Sequence, residues 1–516
     1  MNDFVSIHQA EITGTLSMFD RIIFKGHVTR LFPAGALALF LTRQKVQLKD
    51  YGRYVEQVTA TLKAHAQQLA QAAGRPFIYL KSAGGLSKEA RARALLAQDG
   101  LTEGLIGVFA VVEACSSFAA RRPPGAPWVQ FVRERRKCLH FYYYYLDREF
   151  GFMHVRLQSW FPFELQIYIN GREWLARQLD QRGLAYTRYD NKLTSIADLP
   201  AAQALCEKFA GRKWVRLLNV FARQVNPYLA RLRQAGFGGY YWVTDQAEYA
   251  THVLFCDRAS LLALYPALVE RSLTVLQAED VFRFLGRKPH HAFQGDVTTR
   301  LKGRPQGCRV KHHLKRNALK LYDTANVLRV ETVINQPREF RVLRVADTPD
   351  GRLRRWKPMR KGVADFWRYA QVGRAANHRY LDALALAQPT GKAMAELDRL
   401  CQPHVKDGQR YARFQPVAAA EAALFAAVLF GGHALNGLRN GDLQARLFPK
   451  PPASTAQQRK RSAHVSRLLA KLRGHGLIAK VPRCRLYRPT VKGIQLMSAA
   501  LHYRHDFPAA FHAAAA

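Results

Sequence analysis

Acidic residues are scarce in this 516-residue chain, with 38 Asp and Glu against 79 Lys and Arg and a formal net charge of +41. Those inside apolar stretches therefore stand out: Asp20, Asp147, Glu164 and Glu331. A buried carboxylate is costly unless it is paired or holds a metal. Cleaving a phosphodiester needs an activated nucleophile and a cation to offset charge on the phosphoryl oxygens. Asp20 on a first strand, with Asp147 and Glu331 on later ones, suits an Mg²⁺- or Mn²⁺-dependent nuclease or transposase if the carboxylates converge within about 8 Å. The competing reading is ion pairing, because Arg21, Arg148 and Arg329 lie close by in sequence. His290, His291, His312 and His313 could bind metal, but in so basic a stretch they are expected on phosphate. No G-x-x-x-x-G-K-[ST] motif and no G-x-G-x-x-G after a strand is present, so no nucleotide cofactor is expected.

The elements that must position these groups read as α+β or α/β, in several domains. Residues 1–122 alternate strand and helix, with strands at 18–24, 77–80 and 105–112 and helices at 33–44, 51–73 and 87–98. The turn at Arg121-Arg122-Pro123-Pro124-Gly125 marks a boundary. Residues 123–346 form a mixed sheet and helical core. Its strands fall at 141–147, 152–158 and 164–169, the last closed by an Asn170-Gly171 turn. Helices follow at 172–181, 201–234 and 258–286, then a hairpin of 308–323 with 327–334. The run Tyr142 to Tyr145 alternates faces, so half is core and half packs on the sheet or stacks on bases. Residues 347–417 read as a basic linker and helical segment.

Residues 418–512 carry the most specific pattern. Helices at 418–430 and 440–447 precede Pro449-Lys450-Pro451-Pro452, which must end a helix. Thr455 and Gln458 have capping-box spacing. Val465, Leu468, Leu469 and Leu472 make a core face, and Arg459, Lys460, Arg461, His464, Arg467, Lys471 and Arg473 occupy the rest. A hairpin around Pro482-Arg483-Cys484 and a helix from Thr490 complete a winged helix-turn-helix order. The string Leu468 to Ile478 resembles the recognition-helix end and first wing strand of MarR-like regulators. That resemblance implies a helix in the major groove and a wing whose Arg483, Arg485 and Arg488 touch phosphate.

As a whole the chain resembles a bacterial family of long basic proteins often labelled MarR-like for the C-terminal module alone. The likeness rests on Phe19-Asp20-Arg21-Ile22-Ile23, Lys137-Cys138-Leu139-His140, Tyr145-Leu146-Asp147, Asn170-Gly171-Arg172-Glu173-Trp174-Leu175-Ala176, Glu248-Tyr249-Ala250-Thr251 and Leu328-Arg329-Val330-Glu331-Thr332. A local likeness is more informative. Lys320-Leu321-Tyr322-Asp323 followed by Leu328-Arg329-Val330-Glu331 is similar to a stretch of plasmid and phage replication initiators. That likeness implies Tyr322 as a nucleophile on DNA phosphate and Glu331 as metal ligand or base. Two departures stand beside it: Thr324 replaces the lysine usual after tyrosine-aspartate, and the chain has no histidine-x-histidine pair.

Composition narrows the class of function. The seven cysteines form no C-x-x-C pair, which leaves reduced thiols rather than a zinc ribbon. The N-terminus lacks a signal-peptide pattern, and the longest apolar stretch is about 14 residues, short of a membrane span, so a cytoplasmic protein without a membrane partner is expected. So large a positive charge calls for a polyanion. Residues 418–516 hold 15 Lys and Arg against 3 acids. A second basic surface is expected over 300–361, with 18 against 5 and including Arg309, Lys311, Lys315 and Arg316. The leading expectation is a DNA-binding replication-initiator or transposase-like factor of a mobile element that cuts a strand with a divalent metal. The alternatives are a non-enzymatic winged-helix transcriptional regulator with a large partner domain and an RNA-binding protein acting on a structured RNA; a homodimer is a possible assembly.

Overall fold

The computed structural model describes residues 3–81, 87–189, 192–274, 276, 278–286, 297–304, 307–348, 351–385, 397–416, 418–430, 433, 437–482, 484–501 and 504. Its strands are, in chain order, β1 (Ile12–Val28), β2 (Phe77–Leu80), β3 (Gly104–Arg121), β4 (Gln130–Asp147), β5 (Gly151–Gln158), β6 (Leu165–Asn170), β7 (Tyr186–Tyr189), β8 (Lys192–Ile196), β9 (Tyr240–Phe255), β10 (Val297–Arg304), β11 (Gly307–Leu314), β12 (Asn317–Thr324), β13 (Val327–Ile334), β14 (Arg341–Thr348), β15 (Gly351–Pro358), β16 (His404–Lys406), β17 (Gln409–Tyr411), β18 (Ile478–Lys480) and β19 (Tyr487–Pro489). The mixed α/β class is as expected, but its parcelling is different. Two compact units are each built from separated segments: Met1–Leu16, Ala250–Thr332 and Val372–Ala516 form one, Ser17–Tyr249 and Val333–Gln371 the other.

The second unit holds the hydrogen-bonded order β1-β6-β5-β4-β3-β2. Its pairs are antiparallel except β2 with β3, which the helix Lys88–Asp99 connects as a parallel crossover. Ala92 of that helix packs with Ile106, Phe109, Val111, Tyr142, Tyr144 and Phe152. Tyr142 to Tyr145 are all buried, so none is a surface for base stacking. The boundary expected at 122/123 falls in the turn between β3 and β4, which pair from Gly104↔Leu146 to Arg121↔Gln130. Asn170-Gly171 is not a hairpin turn. Asn170 caps the helix Gly171–Asp180, its side chain accepting from the amides of Arg172 at 3.0 Å and Glu173 at 3.3 Å. A Cβ on Gly171 would meet the Phe19 carbonyl oxygen at 2.2 Å, so glycine is required by close approach.

The segment from Asp347 to Lys361 is not a linker. Most of it is the second strand of a two-stranded ribbon, β14 with β15, paired from Arg341↔Pro358 to Thr348↔Gly351. The ribbon is fixed at its base: Arg368 Nε donates to the Arg341 carbonyl at 3.0 Å, and Arg344 is ion-paired to Asp365.

In the first unit β10-β11-β12-β13 follow one another in an antiparallel order. The stretch expected as one strand, 308–323, is two strands reversing at Lys315-Arg316, where Lys315 adopts φ 55°. Ala325, at φ 51°, sits in the two-residue loop before β13. Val310, Leu319, Leu321 and Val330 share a core with Leu424, Val465, Leu469 and Leu472 of the C-terminal helices. The expected domain 418–512 thus shares its core with β11–β13. Its elements are helices Ala419–Val428, Asn440–Leu447 and Thr455–Gly474, then β18, β19 and a helix Val491–Leu501. Leu438 bridges Tyr487 of β19. The cap of the long helix is Ser454, one residue before the expected Thr455. Among the described residues no single helix is long and apolar enough to cross a membrane.

Candidate functional site

Antiparallel partners lie on one face of a sheet. In the first unit Lys302 pairs with Arg309 and Arg309 with Tyr322, while Arg300 pairs with Lys311 and Lys311 with Lys320. Two rows of side chains, one cationic throughout and one ending in Tyr322, therefore cross β10, β11 and β12 on the face opposite Val310, Leu319 and Leu321. Alternation along β11 and β12 shows the same division: buried residues on one side, half-exposed basic residues and Tyr322 on the other. Lys315 and Arg316 are exposed in the adjoining turn.

Tyr322 lies beside β13, where the sequence places a charge inside an apolar strand. Its hydroxyl donates to Glu331 Oε2 at 2.9 Å, and Lys320 Nζ donates to Glu331 Oε1. Arg329 donates to Oε2 from Nε at 3.2 Å and from Nη2 at 2.8 Å, with its guanidinium 5.4 Å from the Tyr322 ring centroid. Its Nη1 donates to His252 Nε2 at 2.7 Å. A guanidinium cannot accept, so this imidazole nitrogen is the acceptor and the ring is neutral. Burial alone would raise the Glu331 carboxyl, but Lys320 and Arg329 outweigh it and hold the group far below the usual carboxylate range. Arg329 is 0% exposed and Glu331 1%. The cluster presents a half-exposed tyrosine, its hydroxyl fixed in direction by an ionised carboxylate, among cations suited to phosphate.

The other expected acids have separate surroundings. Asp147 accepts from the backbone N–H of Glu149 at 2.8 Å and of Phe150 at 2.9 Å, capping the turn from β4 to β5. Two strands, β6 and β5, separate β4 from β1, which puts Asp147 roughly 14 Å from Asp20's strand. The fold therefore does not bring Asp147 together with Asp20. Glu164 is paired with Arg156 at 2.8 Å. Asp20 lies 2.5 Å from Arg172 and is 6% exposed. Within the same unit its carboxylate comes within 4.8 Å of that of Glu248, a residue that sequence reasoning misses because nothing in its local pattern marks it. Glu248 lies 4.0 Å from Arg21. Two hard oxygen donors this close suit a divalent cation.

The fold divides the histidines of β11: His313 is half-buried on the same side as Arg309 and Lys311, and His312 is not. His312 is 1% exposed and occupies the core face, its Nδ1 2.8 Å from Thr299 Oγ1 and its Nε2 3.0 Å from both Ser272 Oγ and Tyr380 OH. His290 and His291 lie outside the described residues. On the helix Thr455–Gly474, Arg459, Lys460, His464, Arg467 and Arg473 are exposed, as are Arg485 and Arg488 around the β18–β19 turn. Lys471 is instead held by Glu421 at 2.7 Å, and Arg461 donates to the Lys450 carbonyl at 2.7 Å. Arg483 lies outside the described residues. Comparison with known protein families, with curated proteins and with solved structures finds no match.

Proposed function

We propose that the chain is a DNA-binding, replication-initiator or transposase-like factor, in which Tyr322 attacks a DNA phosphate. The supporting observation is the Tyr322 hydroxyl, 2.9 Å from Glu331 within a basic sheet face. In the proposed step the Tyr322 Oη–P bond forms, the bond from phosphorus to one sugar oxygen breaks, and the phenolic proton passes to Glu331. The departing sugar oxygen takes a proton from water. Arg309, Lys311 and Lys320 offset charge on the phosphoryl oxygens. Magnesium or manganese is a separate part of the proposal: Asp20 and Glu248, which belong to the second unit, would hold it, and it would neutralise charge on a phosphate bound to that unit. The elements after residue 418 follow winged-helix order, including the Leu438–Tyr487 bridge, and support Arg459, Arg467 and Arg473 as groove or phosphate contacts.

A second reading has its own support. Lys320 and Arg329 make Glu331 a weak base, which favours a non-enzymatic winged-helix regulator whose basic sheet only grips. One experiment separates the two. The full-length protein is incubated with supercoiled and single-stranded DNA, with and without Mg²⁺ or Mn²⁺, and denatured to reveal covalent protein–DNA adduct. The initiator reading expects adduct and nicking that Tyr322→Phe abolishes with binding unchanged. Sequence-selective duplex binding without any adduct leaves the regulator; adduct that survives Tyr322→Phe removes Tyr322 from the mechanism.

A further inference from the structure

The ribbon β14–β15 falls within the basic stretch expected over 300–361, but belongs to a different unit from β10, β11 and β12. Its two strands of eight residues carry Arg341, Arg344, Arg352, Arg354, Arg355 and Lys357 against Asp347. At the base Val342 is 1% exposed and Arg344 is neutralised by Asp365. On the second strand every residue from Arg352 to Pro358 is exposed, including those paired with the anchored residues Arg341 to Arg344. Such a ribbon extends roughly 26 Å. Arg354, Arg355 and Lys357 make no ion pair among the described residues, and Arg355 stands directly across from Arg344.

Basic residues on an exposed strand have a simpler use, since they discourage edge-to-edge association. A strand protected for that reason alone would keep its large apolar side chains covered. Here Leu343 is 41% exposed, Val345 60%, Leu353 43% and Trp356 52%. Leu343 pairs directly with Trp356, and Val345 with Arg354, so apolar and cationic groups alternate along one face. Arg368 lies 5.3 Å from the Trp356 ring centroid, which helps to hold the indole in place. That combination matches a duplex, in which phosphates flank a groove lined with base edges and methyl groups.

Resting on the DNA-binding reading, we propose that the β14–β15 ribbon is a duplex-DNA arm that enters the major groove. Arg354, Arg355 and Lys357 contact phosphates, and Leu353 or Trp356 contacts the groove interior. The B-form major groove admits a two-stranded ribbon, whereas the deep, narrow major groove of A-form RNA does not. The arm belongs to the second unit, and Tyr322 and the C-terminal helices to the first, so its grip on DNA does not depend on whether the chain cuts it.

The test uses the full-length protein, a 30-base-pair DNA duplex, the RNA duplex of the same sequence, and anisotropy over a NaCl series. Replacing Arg354, Arg355 and Lys357 together by Ala should reduce the slope of log K against log salt by about 0.9 for each phosphate no longer neutralised. Trp356→Ala should weaken DNA duplex binding about tenfold with the slope retained, as expected when an apolar group is removed from the groove. Circular dichroism establishes that both variants remain folded. Unchanged slope and affinity on duplex DNA overturn the arm while leaving the DNA-binding reading intact. Equal weakening on duplex RNA overturns the choice of DNA. A wild-type protein that binds no DNA overturns both.

Discussion

Glu331 illustrates how far single residues can be read in advance. Lys320 and Tyr322 are two apart on one strand, Arg329 and Glu331 two apart on the next, and a short loop joins them; residues at such spacing share a face. Their pairing is legible for that reason. His252 is not, because it comes from a strand some 80 residues earlier that leaves no local trace of its neighbours. Basic surroundings point His312 toward phosphate, yet strand alternation puts it on the core face. Burial there lowers its pKa to about 4. The folded protein keeps this ring neutral, while the unfolded chain protonates it at about 6.5. Its contribution to stability is thus complete above about 6.5 and declines as pH falls toward 4, with a slope approaching 1.4 kcal/mol per pH unit. Urea unfolding at pH 7, 6 and 5 should show this decline, and His312→Gln should reduce it; an equal decline in both proteins refutes the role given to His312.

Among elements, the legible signals are those with one covered face. The alternation of β11 and the periodicity of the helix Thr455–Gly474 both reflect a side turned to the core. β15 has no such side, so it produces no apolar period and reads as a linker. Turn chemistry misleads at Asn170-Gly171, where an Asn-Gly pair serves as a helix cap and a point of close backbone approach. Gly171→Ala should therefore lower stability by about 1–3 kcal/mol through overpacking, although alanine is the better helix former. Thermal unfolding measures it. A neutral or stabilising result would show that the crowding against Phe19 relaxes without cost.

For the molecule as a whole, charge forecasts a polyanion partner but not the division of the chain. Composition shifts suggest consecutive domains, whereas the units are assembled from segments that return after long excursions. One consequence concerns the C-terminal region, which looks separable in the sequence. Leu424, Val465 and Leu472 share a core with Val310, Leu319 and Val330. Removing residues 418–516 should therefore unfold or aggregate the first unit instead of selectively erasing sequence preference. Solubility and limited proteolysis of the truncated chain decide this; a soluble, protease-resistant product would show that the remaining segments close a core without it.

That same interleaving sets an order of assembly during synthesis. The first unit draws on Met1–Leu16, Ala250–Thr332 and Val372–Ala516, so its earliest residues leave the ribosome more than 200 residues before the first of their partner segments and more than 300 before the last. The second unit lacks only Val333–Gln371 once Tyr249 has emerged. It can begin to fold while the apolar faces of β11, β12 and β13 still wait for the helices that cover them. Contacts this distant in sequence close slowly and leave strands open to association in the interval. Yield in the cell should therefore depend on elongation rate and chaperone supply as well as on the stability of the finished protein.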